Sequence, residues 1–69
     1  MIWIIKGNES HEIISCNVAD KEDKSELWVT RPNGKNLKIF ESQNKDIVKE
    51  LKEAIDFAIK IGEKTFTIE

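Results

Sequence analysis

The chain has no tyrosine, one histidine, one cysteine, one proline and one arginine in 69 residues. A single Cys16 excludes an internal disulfide, and with only His11 beside it no Cys/His zinc set can be assembled. The fold must therefore stand on packing or on a partner. Long apolar runs are also missing. The longest, residues 1–5, falls far below the ~20 residues that span a bilayer, and no basic segment precedes it. The expected setting is intracellular and cytoplasmic. Charge of one sign is missing too: 11 basic and 13 acidic residues leave a net charge of −2, too small to force disorder.

What is present is enough for one thin core. A chain this short buries only about 60% of the surface its unfolded form exposes, which leaves room for a single domain over residues 1–69 and excludes a large catalytic cleft. Ten Lys against one Arg, with eleven Ile, five Asn and three Ala, is the bias of A/T-rich codons. It fits a low-GC bacterium, or a phage or mobile element living in one.

Residues 1–6 are almost continuously apolar, which suits a strand covered on both faces. Gly7 and Asn8 signal a turn, and residues 11–18 form a second strand hairpinned to the first. Residues 19–25 lack apolar periodicity and read as a solvated loop. A third strand covers 26–31. In Arg31-Pro32-Asn33-Gly34, Pro pre-sets φ and Gly accepts the positive φ that closes a hairpin. The chain returns as a fourth strand over 37–41.

From Asn44 to Ile61 the period becomes helical, with Ile47, Leu51, Ala54, Ile55 and Ala58 on one stripe. Ser42 or Asn44 can cap this helix, and Gly62 can end it. Val48 and Ile59 flank the stripe on one side, Phe57 and Ile61 on the other. The apolar arc is about 200° wide, twice the ~100° that lying on a sheet requires. A last strand covers 65–69. The expected architecture is α+β: a four-stranded antiparallel meander, one amphipathic helix across one face, and a short final strand. Counting chain reversals sets that strand antiparallel to the first, in the order 5-1-2-3-4.

No catalytic constellation emerges. Strict alternation places His11 and Cys16 on opposite faces of one strand, so no thiol–imidazole dyad is expected. His11 reads as a surface residue and Cys16 as a small core hydrophobe. Asp20, Glu22 and Asp23 are interrupted by lysines and lack the glycine and terminal glutamate of a calcium loop. Neither a phosphate-binding glycine loop nor a serine nucleophile motif is present, so neither an enzymatic role nor a cofactor is expected.

The informative feature is a surplus of apolar faces. With Ile2, Ile4, Ile14, Cys16, Val18, Leu27, Val29, Leu37, Ile39, Phe66 and Ile68 turned to the helix, the other face carries Trp3, Ile5, Ile13, Trp28 and Phe40. One helix cannot cover both faces. An exposed patch of that size marks an interaction site; the alternative is that loop 19–25 folds over part of it or that the sheet curls enough to bury its own aromatics. The expected function is a small protein-interaction module, a homodimer or the partner of another protein, one form being a phage or mobile-element protein that inhibits or modulates a host macromolecule. The flanks of the helical arc, Val48, Phe57, Ile59 and Ile61, offer a second interface.

The alternative is a single-stranded nucleic-acid binder, since aromatics on an open sheet stack bases and Arg31, Lys35 and Lys38 cluster near the Pro-Asn-Gly turn. Four strands followed by a helix with an over-wide apolar face resembles, in layout, the single-stranded-DNA binders of the Whirly type and related transcriptional coactivators. The strand after Gly62 departs from that layout. A pI near 5.4 also weighs against phosphate binding.

Overall fold

The computed structural model describes Met1 to Ile68; Glu69, the expected end of the last strand, lies outside the described residues. The elements are β1 (Ile2–Lys6), β2 (Glu9–Ile13), β3 (Ser15–Asp20), β4 (Ser25–Thr30), β5 (Asn36–Ser42), α1 (Lys45–Lys60) and β6 (Thr65–Ile68). The class is α+β, as expected. In place of one meander there are two three-stranded sheets, ordered β2-β1-β6 and β3-β4-β5.

The division falls at Ile14, in the middle of the expected second strand. Ile13 pairs with Ile2 in the first sheet, and Ser15 pairs with Thr30 in the second. Between them the Ile14 amide donates to the Thr30 carbonyl at 2.9 Å. Both Ile14 and Ser15 are exposed, whereas Ile13 and Cys16 are buried. Alternation would put Ile13 and Cys16 on opposite faces; the bend slips the phase and turns both inward.

The order 5-1-2-3-4 and the sense of the last strand are corrected by the same bend. β6 lies beside β1 but runs parallel to it, with Ile4 opposite Phe66. Counting reversals assumes one continuous sheet. Here β3, β4 and β5 form a separate layer, and α1 returns the chain to β1 in the same sense, the long crossover that parallel pairing requires.

The turns follow local chemistry. Lys6 pairs with Glu9, so the first hairpin closes on Gly7-Asn8 alone, with Gly7 at φ 60° in the first central position of a type II′ turn. At the next tight turn the Gly34 amide donates to Arg31 O at 2.9 Å, and Gly34 takes φ 85°. The segment 19–25 is shorter as a loop than expected. Ala19 and Asp20 pair with Glu26 and Ser25, and Ser25 is fully buried, its hydroxyl donating to the Asp20 carboxylate.

In α1 the Asn44 side chain accepts from the Asp46 amide at 3.1 Å, the cap that asparagine is suited to make. The far end closes by a Schellman arrangement: Glu63 N–H donates to Ala58 O and Gly62 N–H to Ile59 O, with Gly62 at φ 81°. The helix packs on the second sheet, chiefly on β3. Its buried line is Val48, Ile55 and Ala58, with Leu51 and Ile59 packed partly against the core. Ile47 and Ala54, expected on the buried stripe, are exposed. The arc was too wide to bury whole, and the helix turned its Val48 side inward.

One cluster joins the layers: Ile2, Ile4, Ile13 and Ile68 from the first sheet, Cys16, Leu27, Val29 and Ile39 from the second, and Val48, Ile55 and Ala58 from the helix. Removing a large buried side chain costs about 2–5 kcal/mol, whereas exposed positions usually change stability by under about 0.5 kcal/mol. Thermal melts of dilute, single-chain protein should therefore show a steep fall in Tm for Ile55→Ala and almost none for Ile47→Ala; equal effects would mean the helix is rotated from the orientation described.

Candidate functional site

The aromatic face expected from alternation does not assemble. Ile13 is fully buried against Ile2 and Ile4 and so belongs to the core. Phe40 is moved by a β-bulge. Trp28 pairs with Lys38 and Leu27 with Phe40, leaving Ile39 as the extra residue on β5. Such an insertion shifts side chains out of alternation, so Ile39 is buried and Phe40 packs against the same core cluster. Ile5 is half-buried, and Trp3 stands 45% exposed on the first sheet, sharing a shallow hollow with Glu12, Arg31, Pro32 and Asn33. Trp28 sits on the second sheet, half-buried among charged side chains. The two tryptophans therefore line no common surface hollow among those described.

Around Trp28 the outer face of β4 and β5 is an ionic network. The indole N–H donates to the Glu26 carboxylate at 3.1 Å. Lys24 and Lys38 lie 3.6 and 3.7 Å from the same carboxylate, and Glu41 pairs with Lys24 at 2.6 Å and Lys38 at 3.5 Å. Glu26 is only 7% exposed, yet the indole hydrogen bond first, and then the charges of Lys38, Lys21 and Lys24, hold its carboxyl below the ordinary value of 4.5. Lys24 does the same for Glu41, first through its hydrogen bond, and is itself raised in return. Lys38 is thus committed to carboxylates and separated in role from exposed Arg31 and Lys35, with which it was expected to form a basic cluster.

Lowered carboxyl values stabilise the fold above the ordinary carboxylate range, and that contribution disappears as pH falls through the folded-state values. Melting curves at pH 7 and pH 3 should show a smaller acid-induced loss of Tm for Glu26→Gln than for the parent. Equal losses would assign the acid sensitivity elsewhere.

His11 and Cys16 do not meet, though for a reason other than strand alternation: they belong to different sheets. His11 is half-buried, its Nε2 3.5 Å from Glu9 Oε1, and it lines a small hollow with Ile4, Lys6 and Leu37. Cys16 Sγ lies 3.3 Å from Asp56 Oδ1, and Asp56 pairs with Lys52 at 2.5 Å. Burial first, then the hydrogen bond to Asp56, pushes the Cys16 thiol up to about 12. A neutral buried thiol is a poor nucleophile. At pH 8 native protein should react with an aromatic disulfide reagent far more slowly than urea-unfolded protein; equal rates would contradict the burial. The raised value stabilises the fold fully below the free-thiol range and is lost as pH rises toward 12. Among the described residues no group of three His, Cys, Asp or Glu side chains is placed to hold a metal ion.

The apolar surface that remains open lies on α1. Ile47, Phe57 and Ile61 are 46%, 61% and 54% exposed, and Ala54 is exposed between them. Of the four helical flank residues expected at an interface, Phe57 and Ile61 face solvent, Ile59 is half-buried, and Val48 is fully buried because the helix turned that side inward. Beside Ile47 runs an open groove where α1 passes β5 and β6, lined by Phe40, Leu51, Phe66 and Ile68 with Glu50 at its edge. Both strands are sheet edges. The importance of Ile47 was hidden in the sequence because its place on the apolar arc suits a core position equally well.

Compared with family models, curated proteins and solved structures, the chain matches none. No helix among the described residues is long and apolar enough to cross a membrane.

Proposed function

We propose that this chain is a small protein-interaction module that acts by surface association as a homodimer and not by catalysis. The observation that carries this reading is the exposed apolar line Ile47, Phe57 and Ile61 on α1, continuous with the groove formed by Phe40, Leu51 and Phe66. Single exposed apolar residues are ordinary, but a contiguous group on a small protein marks a contact surface. Large apolar and aromatic side chains also supply most of the energy at protein interfaces. The groups nearest to chemistry give catalysis little support, since the thiol of Cys16 is buried and His11 lies on another sheet.

The nucleic-acid reading is weakened by the same side chains that first suggested it. Lys38 is paired with Glu26 and Glu41, Trp28 with Glu26, and Phe40 packs on the core. Among the described residues exposed Trp3 shares a hollow with Arg31, but no row of several open aromatics beside unpaired cations remains for stacked bases and phosphates.

Light scattering over a concentration series tests the reading. The parent should approach twice the chain mass of 8.0 kDa, and Phe57→Glu should return it to the single-chain mass with an unchanged far-UV circular dichroism spectrum, since Phe57 is exposed on the single chain. A parent that stays at the single-chain mass at millimolar concentration would overturn self-association. Sub-micromolar oligonucleotide binding at ~150 mM salt, lost on Arg31→Ala, would favour the alternative.

A further inference from the structure

The exposed line on α1 has a regular spacing. Ile47, Ala54 and Ile61 are separated by seven residues each, with Glu50 and Phe57 three residues after the first two. This is the a and d pattern of a helix that packs along another helix. The smallest residue, Ala54, stands at the midpoint, and all five positions are exposed. Beside the line runs a charged row at the same interval: Asp46, Glu53 and Lys60. Among the described residues none of these three takes part in an ion pair.

We infer that the partner is a second copy of this chain, whose α1 lies antiparallel against the first across a twofold axis at Ala54. The inference rests on the interaction reading above and adds which surfaces meet and in which sense. Antiparallel alignment about Ala54 sets Ile47 against the partner's Ile61 and lets the two small side chains bring the helices close. It also sets each Asp46 beside the partner's Lys60, twice over. In a parallel twofold alignment the two copies of this row would lie on opposite flanks of the seam, so Asp46 and the partner's Lys60 would not meet. Charge complementarity therefore selects the antiparallel sense, and a twofold axis makes one patch serve both subunits. Glu53 meets its own copy near the axis and Glu50 stands within the line; both oppose the pairing and make it a reversible association.

Two sets of variants test the geometry, with folding followed by far-UV circular dichroism. Under mild oxidation Ala54→Cys should give a disulfide-linked dimer rapidly, because facing Cα atoms near the axis come within the roughly 7 Å that a disulfide spans. Lys49→Cys, on the polar side of α1, should not, and buried Cys16 is a silent background. Asp46→Lys and Lys60→Glu should each weaken self-association roughly 2- to 30-fold, the equivalent of two exposed ion pairs lost. An equimolar mixture of the two variants should recover it. A dimer in which the Ala54→Cys variant does not cross-link, or that is indifferent to either charge reversal alone, overturns this geometry and leaves the interaction reading standing. A chain monomeric at every concentration overturns both.

Discussion

Six strands and one helix in so short a chain face a problem of coverage. A flat sheet has two faces, and a single helix can keep only one of them from water. The bend at Ile14 solves this by folding the sheet on itself. Its two halves then present Ile2, Ile4 and Ile13 on one side and Cys16, Leu27, Val29 and Ile39 on the other to a shared interior, with Val48 and Ile55 closing it from the helix. A hydrogen bond at the bend, from the Ile14 amide to Thr30 O, ties the turning point to β4. Lys6 ties the layers a second time, its Nζ donating to Ile39 O at 2.6 Å while lying 5.9 Å from the centre of the Phe40 ring.

That bend also decides which apolar surface stays open. Once the sheets share a core, most of the apolar residues assigned to the outer sheet face find cover: Ile13 inside, Phe40 against the core, and Trp28 half-buried with its indole N–H held by Glu26. The surplus moves to the helix. α1 carries more apolar surface than the second sheet can cover, and the side that the sheet leaves is the one bearing Ile47, Ala54, Phe57 and Ile61. A binding surface of this kind comes from an excess of hydrophobic arc over the space available to bury it, with no special geometry at a catalytic centre.

The polar side chains are organised to the same end. Glu26 is nearly buried on a sheet face, yet its charge is met by an indole N–H and two ammonium groups, and no buried side-chain polar atom among the described residues lacks a hydrogen-bond partner. The face around Trp28 is thereby saturated with its own partners and has little left to offer a ligand. The contrast with the helix line, where the large side chains are bare and Asp46, Glu53 and Lys60 have no ion-pair partner among the described residues, separates a surface built for internal satisfaction from one open to contact.

The amino-acid sequence by itself determined what depends on neighbouring residues: the α+β class, the Gly7 and Gly34 turns, a helix cap at Ser42 or Asn44, the Gly62 stop, and the excess width of the helical arc. Each is set by local backbone preference or by a short-range period. Where alternation alone was available, the reading failed at two places. A one-residue slip at Ile14 exchanges Ile13 and Ile14 and a bulge at Ile39 brings Phe40 to the core, while Cys16, Leu27, Val29 and Ile39 face inward as alternation expects; neither irregularity leaves a glycine or proline to announce itself. The parallel sense of β6, the burial of Val48 in place of Ile47, and the dispersal of Trp3, Trp28 and Phe40 were decided only by tertiary structure. Those outcomes depend on how two sheets and a helix share one small interior, an energy that belongs to the packed whole and to no segment of it.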